Sequence, residues 1–294
     1  MLLAVDARNR SLSIGFREGG TWVAKRRIAA CPVRSADEYE LLLRAFAAAL
    51  PAGGTVGDVH RNVIDEAWMS SVVPSLTRPL REAVSAAFGV GCQVLGPGVR
   101  SGVRIRTDTP SEVGSDLVCA AAAAAELAKG PAVVVHFDAA VALSALGRSG
   151  DFLGAAIAPG FHTGIESLRA SAALLPAVAL AEYADGSFGG GKPGAGRSGA
   201  PVFGQAVGRN TVQAVRAGMT LGYAGLVERL ALAQAEELVA LGEAGSADEV
   251  ALLGSGGEEG AAIFALLGRG RFVPDLALEG LALIAARSAK ASKG

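Results

Sequence analysis

The sequence predicts an α/β protein built from two duplicated lobes, each a mixed sheet flanked by helices. The chain has 294 residues, of which 51% are hydrophobic, enough for two domains that each bury a core. Three strands, a helix and a further strand open the chain, and a similar run begins again near Val133. The apolar segment 131–137 is continuous, as expected for a strand covered on both faces of its sheet.

Turn residues and capping signals place the elements of the first half. Residues 35–38 (Ser-Ala-Asp-Glu) form a capping box that predicts a helix over 39–50. Residues 18–20 (Glu-Gly-Gly) predict a hairpin turn between two strands. The predicted strands are 1–7, 11–16, 21–28, 62–65 with the segment 68–73 that leaves it, and 91–95. The other predicted helices are 75–88 and an Ala-rich helix that follows Pro110 and runs to about residue 129.

The second half repeats this pattern after a boundary near Gly130. Its predicted strands are 131–137, 141–146, 152–158 and 250–253, and its predicted helices are 164–174, 211–241 with an interruption, 258–267 and 276–289. We therefore expect an N-terminal lobe over 1–130 and a C-terminal lobe over 131–294. Residues 185–208 are rich in Gly and Pro and predict a mobile surface loop.

Composition excludes several classes of protein. The 27 basic and 28 acidic residues give a net charge of −1, so no bulk charge favours nucleic acid or a membrane surface. The N-terminus lacks the basic region of a signal peptide, and the apolar run 118–127 is too short to span a bilayer. Cys31, Cys92 and Cys119 have neither disulfide-framework nor zinc spacing, which favours buried thiols. We therefore expect a soluble cytoplasmic protein.

Seven segments, in order along the chain, resemble the type III pantothenate kinases. They are 70–74 (SSVVP), 96–102 (GPGVRSG), 112–116 (EVGSD), 154–160 (GAAIAPG), 208–212 (GRNTV), 222–225 (GYAG) and 274–281 (PDLALEGL). That family phosphorylates pantothenate with ATP in the first step of coenzyme A synthesis. The resemblance implies the duplicated fold of actin, hexokinase and the acetate kinases. It also implies a family reaction that uses ATP, Mg²⁺ and a monovalent cation, K⁺ or NH₄⁺.

The first phosphate loop departs from the family pattern. The family has Asp-x-Gly-Asn-Thr after its first strand, and this chain has Asp6-Ala7-Arg8-Asn9-Arg10. The resemblance makes Asp6, Arg8, Asn9 and Arg10 nucleotide-binding positions. The two arginines could attract phosphate, but their bulk lies where backbone must approach the phosphates, and Arg8 loses a glycine's access to positive φ. We favour the alternative that both arginines cap the hairpin and point to water.

The second loop departs further. The family has Asp-Phe-Gly-Thr-Ala-Thr where this chain has residues 136–141, His-Phe-Asp-Ala-Ala-Val. His136 stands at the family's monovalent-cation position, and imidazole is a poor ligand for a hard cation. Asp138 and Ala139 replace the Gly and Thr that face the phosphates. A carboxylate about 4 Å from a phosphate costs on the order of 1 to 4 kcal/mol.

The third loop keeps the family's Gly-rich character. Residues 253–257 resemble the Thr-Gly-Gly turn near the adenosine, which makes Gly254, Gly256 and Gly257 nucleotide-binding positions. Gly-rich turns between a strand and a helix are common, so the retained glycines do not by themselves indicate nucleotide binding. Since the first two loops have changed, we expect this chain to bind no cofactor of its own.

The substrate side keeps some of the family's residues. The family's Gly-Ala-Asp-Arg is matched by Gly114, Ser115, Asp116 and Leu117, which makes Asp116 the general base for a primary alcohol. Asp116 could equally be an acid that stabilises a helix N-terminus. The resemblance places Thr107 where the family has a pocket-lining Tyr.

Thr211 matches a family Thr that lines the pantothenate pocket of the other subunit in a dimer. Asn210 or Thr211 could also be the N-cap of the helix that follows. The sequence thus favours a degenerate pantothenate kinase-like subunit that pairs with an intact family member, or with itself. The alternatives are a self-sufficient kinase with unusual phosphate loops, and a non-enzymatic regulatory or binding protein on the same fold.

Overall fold

The computed structural model describes residues 1–51, 64–96, 98–172, 175 and 206–291. The strands are β1 Leu2–Ala7, β2 Ser11–Glu18, β3 Thr21–Ala29, β4 Glu66–Ser71, β5 Cys92–Val94, β6 Ala132–Phe137, β7 Ala140–Leu146, β8 Phe152–Pro159, β9 Ala251–Gly256 and β10 Arg271–Phe272. The helices are α1 Ala36–Ala48, α2 Pro74–Phe88, α3 Ser115–Ala128, α4 Phe161–Ser171, α5 Thr211–Ala240, α6 Glu258–Ala265 and α7 Leu276–Ala291. Short 3₁₀ turns cover Pro110–Glu112 and Ala247–Glu249.

The chain divides into two compact units. Unit 1 comprises residues 1–127 and the C-terminal segment from 275, and unit 2 comprises residues 128–274. The sheet of unit 1 has the order β3-β2-β1-β4-β5, and that of unit 2 has the order β10-β9-β6-β7-β8. In both sheets the first three strands in sequence pair antiparallel and the later two add in parallel. The two sheets are therefore the same arrangement, and the predicted duplication is confirmed.

Most predicted elements are present with shifted ends. The capping box is confirmed, since the Glu38 amide donates to Ser35 Oγ and the Ser35 amide donates to Glu38 Oε2, and α1 begins directly after it. The predicted interruption of the helix over 211–241 is wrong, because α5 runs unbroken for 30 residues. The strand predicted at 62–65 is wrong at its described end, since residues 64 and 65 are not in a strand and β4 begins at Glu66. Residues 62–63 and most of the predicted loop at 185–208 lie outside the described residues.

The predicted C-terminal lobe over 131–294 is wrong at its end, because the C-terminal helix belongs to the other unit. The segment from 275 belongs to unit 1, where α7 packs against β1, β2 and β4. Asp275 pairs with Arg27 of β3 at 2.8 Å, and Glu279 pairs with Lys25 at 2.7 Å. The Trp22 indole also donates to Glu279 at 2.7 Å. The family segment 274–281 therefore fastens the end of the chain to the first sheet.

Two further features concern accessibility. Cys92 and Cys119 are buried as expected, but Cys31 is exposed, which corrects the prediction for that residue. Burial raises the pKa of the Cys92 thiol to about 12, so it stays protonated at neutral pH. None of the helices that the structure describes is long and apolar enough to cross a membrane.

Candidate functional site

The first phosphate loop is closed by an internal ion pair. Residues two apart on a strand share a face, so Asp6 at the end of β1 and Arg8 just after it point the same way. Arg8 Nε lies 2.8 Å from Asp6 Oδ2, and the two side chains are 2% and 0% exposed. The prediction that Arg8 points to water is therefore wrong. Long charged side chains are rarely buried unless paired, and Asp6 supplies the partner.

The neighbouring loop positions behave differently. Asn9 and Arg10 are exposed. Arg8 keeps an ordinary backbone conformation, since among the described non-glycine residues only Lys129 has a positive φ. Replacing the family's glycine has thus introduced no backbone strain at Arg8, contrary to the expectation. The change acts through the side chain, which fills the turn.

Asp6 lies in a row of polar side chains across the sheet. Its neighbours in register are Ser13 on β2 and Ser70 on β4, both buried. Burial raises the pKa of the Asp6 carboxyl above its usual value, while the Arg8 guanidinium and a hydrogen bond with Ser70 act in the opposite direction. Ser70 Oγ lies 3.0 Å from Ser115 Oγ at the start of α3. The row therefore connects the first loop to the predicted substrate residues.

A cavity of about 780 Å³ in unit 1 contains part of the predicted substrate site. Its walls come from three family segments and the apolar chain between them. The lining residues are Ser71, Val72, Leu95, Gly96, Gly98, Val99, Ser101, Val103, Ile105, Pro110, Ser111, Glu112, Val113, Gly114, Ser115 and Val118. The cavity is large enough for a small polar metabolite, and its hydroxyl groups can orient one.

The predicted substrate residues divide around this cavity. Gly114 and Ser115 line it, whereas Thr107 and Leu117 are not among the described lining residues. Asp116, half-buried in the first turn of α3, is next to the wall, because a Cβ on Gly114 would lie 2.6 Å from Asp116 Oδ1. A carboxylate there can accept a proton from an alcohol, and it also stabilises the N-terminus of α3.

Unit 2 brings the second and third loops together. β6 and β9 run parallel with Phe137 opposite Gly256, so the turns that follow both strands meet at one edge of the sheet. A Cβ on Gly256 would lie 2.5 Å from the Phe137 carbonyl oxygen, and its φ is +142°, so this position requires glycine. His136 is buried in β6, opposite Ser255.

The turn at Asp138 and Ala139 is packed against the start of α4. The Ala139 carbonyl accepts hydrogen bonds from the Gly160 amide at 2.9 Å and from Thr163 Oγ1 at 2.7 Å. A Cβ on Gly160 would overlap the Asp138 carbonyl, which explains the glycine that ends the family segment 154–160. The turn is therefore fixed by its own unit.

Sequence reasoning missed two acids at the third loop. Glu258 and Glu259 form the first turn of α6, directly after Gly257, and Glu259 Oε1 lies 3.0 Å from His162 Nε2. A helix N-terminus attracts anions, and here the helix supplies its own. An acid pair immediately after a Gly-Gly turn is the signal that could have revealed this.

All three loops differ from the family pattern in charge or in the space they leave for phosphate. Arg8 fills the first loop, and Asp138, Glu258 and Glu259 add negative charge at the edge that carries the other two. Within the described ranges, no group of three His, Cys, Asp or Glu residues is placed to hold a metal ion. The Arg8 side chain in unit 1 and the acids in unit 2 each remove a feature with which the family's loops hold phosphate.

Thr211 is the first residue of α5 and is exposed. The cap of this helix is Asn210, whose side chain accepts from the Gln213 amide at 2.9 Å. Of the two residues proposed as the N-cap, Asn210 is therefore the one that caps α5. The Thr211 side chain is left at the surface of unit 2.

Two solved structures share the fold across nearly the whole chain. A conserved Baf-family protein of Campylobacter jejuni, described as a candidate transcriptional activator, covers 98% of this chain and is itself covered to 99%, with a TM-score of 0.54 and 13% identity. A candidate 2-dehydro-3-deoxygalactonokinase of Sinorhizobium meliloti gives the same coverage, a TM-score of 0.50 and 17% identity. With the matching sheet orders, this confirms the predicted duplicated fold of the actin and hexokinase type.

Sequence comparison is more specific. The sequence profile of the type III pantothenate kinase family matches residues 2–233. Type III pantothenate kinases of Dehalococcoides mccartyi strain CBDB1 and of Moorella thermoacetica are each 33% identical, covering 96% and 98% of this chain and 94% and 100% of their own lengths. That of Streptomyces coelicolor is 34% identical over 87% of both chains. On this profile match and these identities, the chain belongs to the type III pantothenate kinase family.

Proposed function

We propose that this chain is a pantothenate kinase-like subunit of coenzyme A biosynthesis whose own ATP site is degenerate. It would pair with an intact family member and complete that partner's pantothenate site, where ATP-dependent phosphorylation takes place. The observation that carries the proposal is the buried Arg8–Asp6 pair, which fills the first phosphate loop. The acids at the second and third loops support it independently.

The surface of α5 supports the pairing. Gly218, Gly222 and Gly225 are exposed, and a Cβ on any of them would meet no neighbouring atom within 4 Å. Each glycine inside a helix lowers the stability of the helix by about 1 kcal/mol relative to alanine. No close contact within unit 2 requires a glycine at these three positions. Small residues let a second helix approach closely, so these glycines suit an interface between subunits.

Thr211 lies on the same face of α5 as these glycines. At 100° per residue, Thr211, Ala214, Gly218, Gly222 and Gly225 fall within a stripe about 100° wide. All five are exposed. A subunit that packs on this stripe would therefore receive the Thr211 hydroxyl at the end of the interface, where it could donate to pantothenate bound in the partner.

We expect the isolated chain to bind ATP–Mg²⁺ with a Kd weaker than about 1 mM, since Arg8 fills the first loop and the second and third loops carry acids that repel phosphate. Isothermal titration calorimetry with ATP–Mg²⁺, with and without pantothenate, measures this. The matched variant carries the family's residues in both loops: Arg8→Gly, Arg10→Thr, His136→Asp, Asp138→Gly and Ala139→Thr. Its first two substitutions alone should restore nothing, because Asp138 remains. Micromolar ATP binding by the unaltered chain would reject the degenerate-site proposal.

We also expect Gly222→Leu to weaken subunit association at least about tenfold, because a leucine holds the opposing helix away. The variant itself should fold, since position 222 is open and leucine favours a helix. Sedimentation velocity over a concentration series, with and without the partner, measures the effect. Gly91→Leu, at an equally open glycine in unit 1, is the control and should associate normally. Equal association of both variants would place the interface elsewhere.

One observation favours a second candidate, a self-sufficient pantothenate kinase. Asp116 is retained next to the cavity in unit 1, where a carboxylate could act as the general base. This candidate requires the chain alone to bind ATP, so the same calorimetric experiment separates it from the first.

A further inference from the structure

The polar row around Asp6 contains a buried hydroxyl group that makes no hydrogen bond within the described part of the chain. Ser13, Asp6 and Ser70 are aligned on three adjacent strands, so their side chains share one face of the sheet. All three are at most 2% exposed. Within the described part of the chain, Ser13 Oγ is buried and has no hydrogen-bond partner. A buried hydroxyl without a partner costs free energy and calls for an explanation.

Two arginines act on the charge of the Asp6 carboxylate, and Arg8 has the larger effect of the two. Arg27, which is in register with Ser13, is paired with Asp275 at 2.8 Å. Arg8 is the residue whose guanidinium lies against Asp6, at 2.8 Å. A carboxylate buried this deeply needs a cation close by. One carboxylate and two hydroxyls are hard oxygen donors, the kind that Mg²⁺ and Mn²⁺ prefer.

We propose that the Arg8 side chain is a built-in cation that takes the place of a divalent metal ion at Asp6, so that shortening it opens a metal site. Asp6 supplies the negative ligand, Ser13 and Ser70 supply hydroxyl oxygens, and water completes the shell. Ser13 Oγ then lacks a partner because the Arg8 guanidinium is held at the Asp6 carboxylate, where the metal ion would otherwise lie between the three side chains. This inference rests on the proposed function, because its relevance to the reaction depends on the proposed loss of ATP–Mg²⁺ binding.

The test is direct Mn²⁺ binding to the full-length Arg8→Ala variant at pH 8. The electron paramagnetic resonance signal of free Mn²⁺ measures binding, and the melting temperature with and without Mn²⁺ gives a second readout. We expect Arg8→Ala to bind one Mn²⁺ at least about tenfold more tightly than the unaltered chain, and to melt at a higher temperature with Mn²⁺ than without. Adding Asp6→Asn should abolish this binding, and adding Ser13→Ala should weaken it. Arg8→Lys, which keeps a cation, should bind no more Mn²⁺ than the unaltered chain.

A purely structural ion pair gives the opposite result. Arg8→Ala would then be less stable and bind no Mn²⁺, which would overturn the proposal. If Arg8→Ala does not fold alone, recovery of its circular dichroism by Mn²⁺ supports the proposal. If Mn²⁺ does not recover Arg8→Ala, the Arg8→Ser variant decides the question. The proposal is rejected if Arg8→Ser folds and binds no Mn²⁺, or if Mn²⁺ also fails to recover Arg8→Ser. ATP binding by the unaltered chain would instead reject the proposed function and leave this ion test standing.

Discussion

Replacing Gly280 by alanine is expected to lower the free energy of unfolding by about 3 kcal/mol. Gly280 lies in α7, and a Cβ there would overlap the carbonyl oxygen of Cys119 in α3. The obstacle is helix backbone, so the two helices would have to separate. That separation would loosen α7 from β1 and β4, the strands that carry Asp6 and Ser70. The loss should exceed the gain of about 1 kcal/mol that alanine brings to a helix.

Urea unfolding of the purified variant, followed by circular dichroism, measures the change. Gly225→Ala is the matched control, because position 225 is also helical but has no neighbour within 4 Å of a Cβ. It should be neutral or slightly more stable. Equal stability of the two variants would show that α3 and α7 do not pack as closely as the structure indicates.

Much of the fold could be predicted because local signals agreed with it. The continuous apolar strand at 131–137, the capping box at 35–38 and the Gly-Gly hairpin turn are each decided by residues close in sequence. The C-terminal helix is different. Its attachment to unit 1 depends on Asp275 and Glu279 meeting Arg27 and Lys25 about 250 residues earlier. No local pattern encodes a pairing over that separation.

The sequence predicts positions for the candidate site, whereas the contacts of those residues depend on the fold. The loop changes at Arg8 and Asp138 could be read from the sequence, whereas the burial of Arg8 could not. Its side chain is stable inside the protein because it pairs with Asp6, two residues away on the same face, and the burial of that pair depends on how the sheet and helices pack around it. Ser13 and Ser70 depend on sheet register, which the sequence alone left open.

In a complex of this chain with an intact family member, substitutions of Thr211 and Asp116 are expected to have opposite outcomes. Thr211→Val keeps the shape and β-branching of the side chain but removes its hydroxyl donor. Losing one hydrogen bond to a neutral group should cost roughly 0.5 to 1.5 kcal/mol, or about a 2- to 12-fold rise in the KM for pantothenate. The exposed position of Thr211, with Asn210 as the cap, means that α5 should remain intact.

Asp116→Asn in this chain should leave the same complex almost unaffected, because under the proposed pairing the reaction takes place in the partner's site. The matched control is the same Asp→Asn substitution in the partner's Gly-Ala-Asp-Arg segment, which should lower kcat about 10²-fold or more. Steady-state assays of the co-purified complex measure all three variants, and sedimentation shows that each complex is assembled. If Asp116→Asn in this chain abolishes activity while Thr211→Val changes nothing, Asp116 is the base of a self-sufficient kinase and the proposed pairing is wrong.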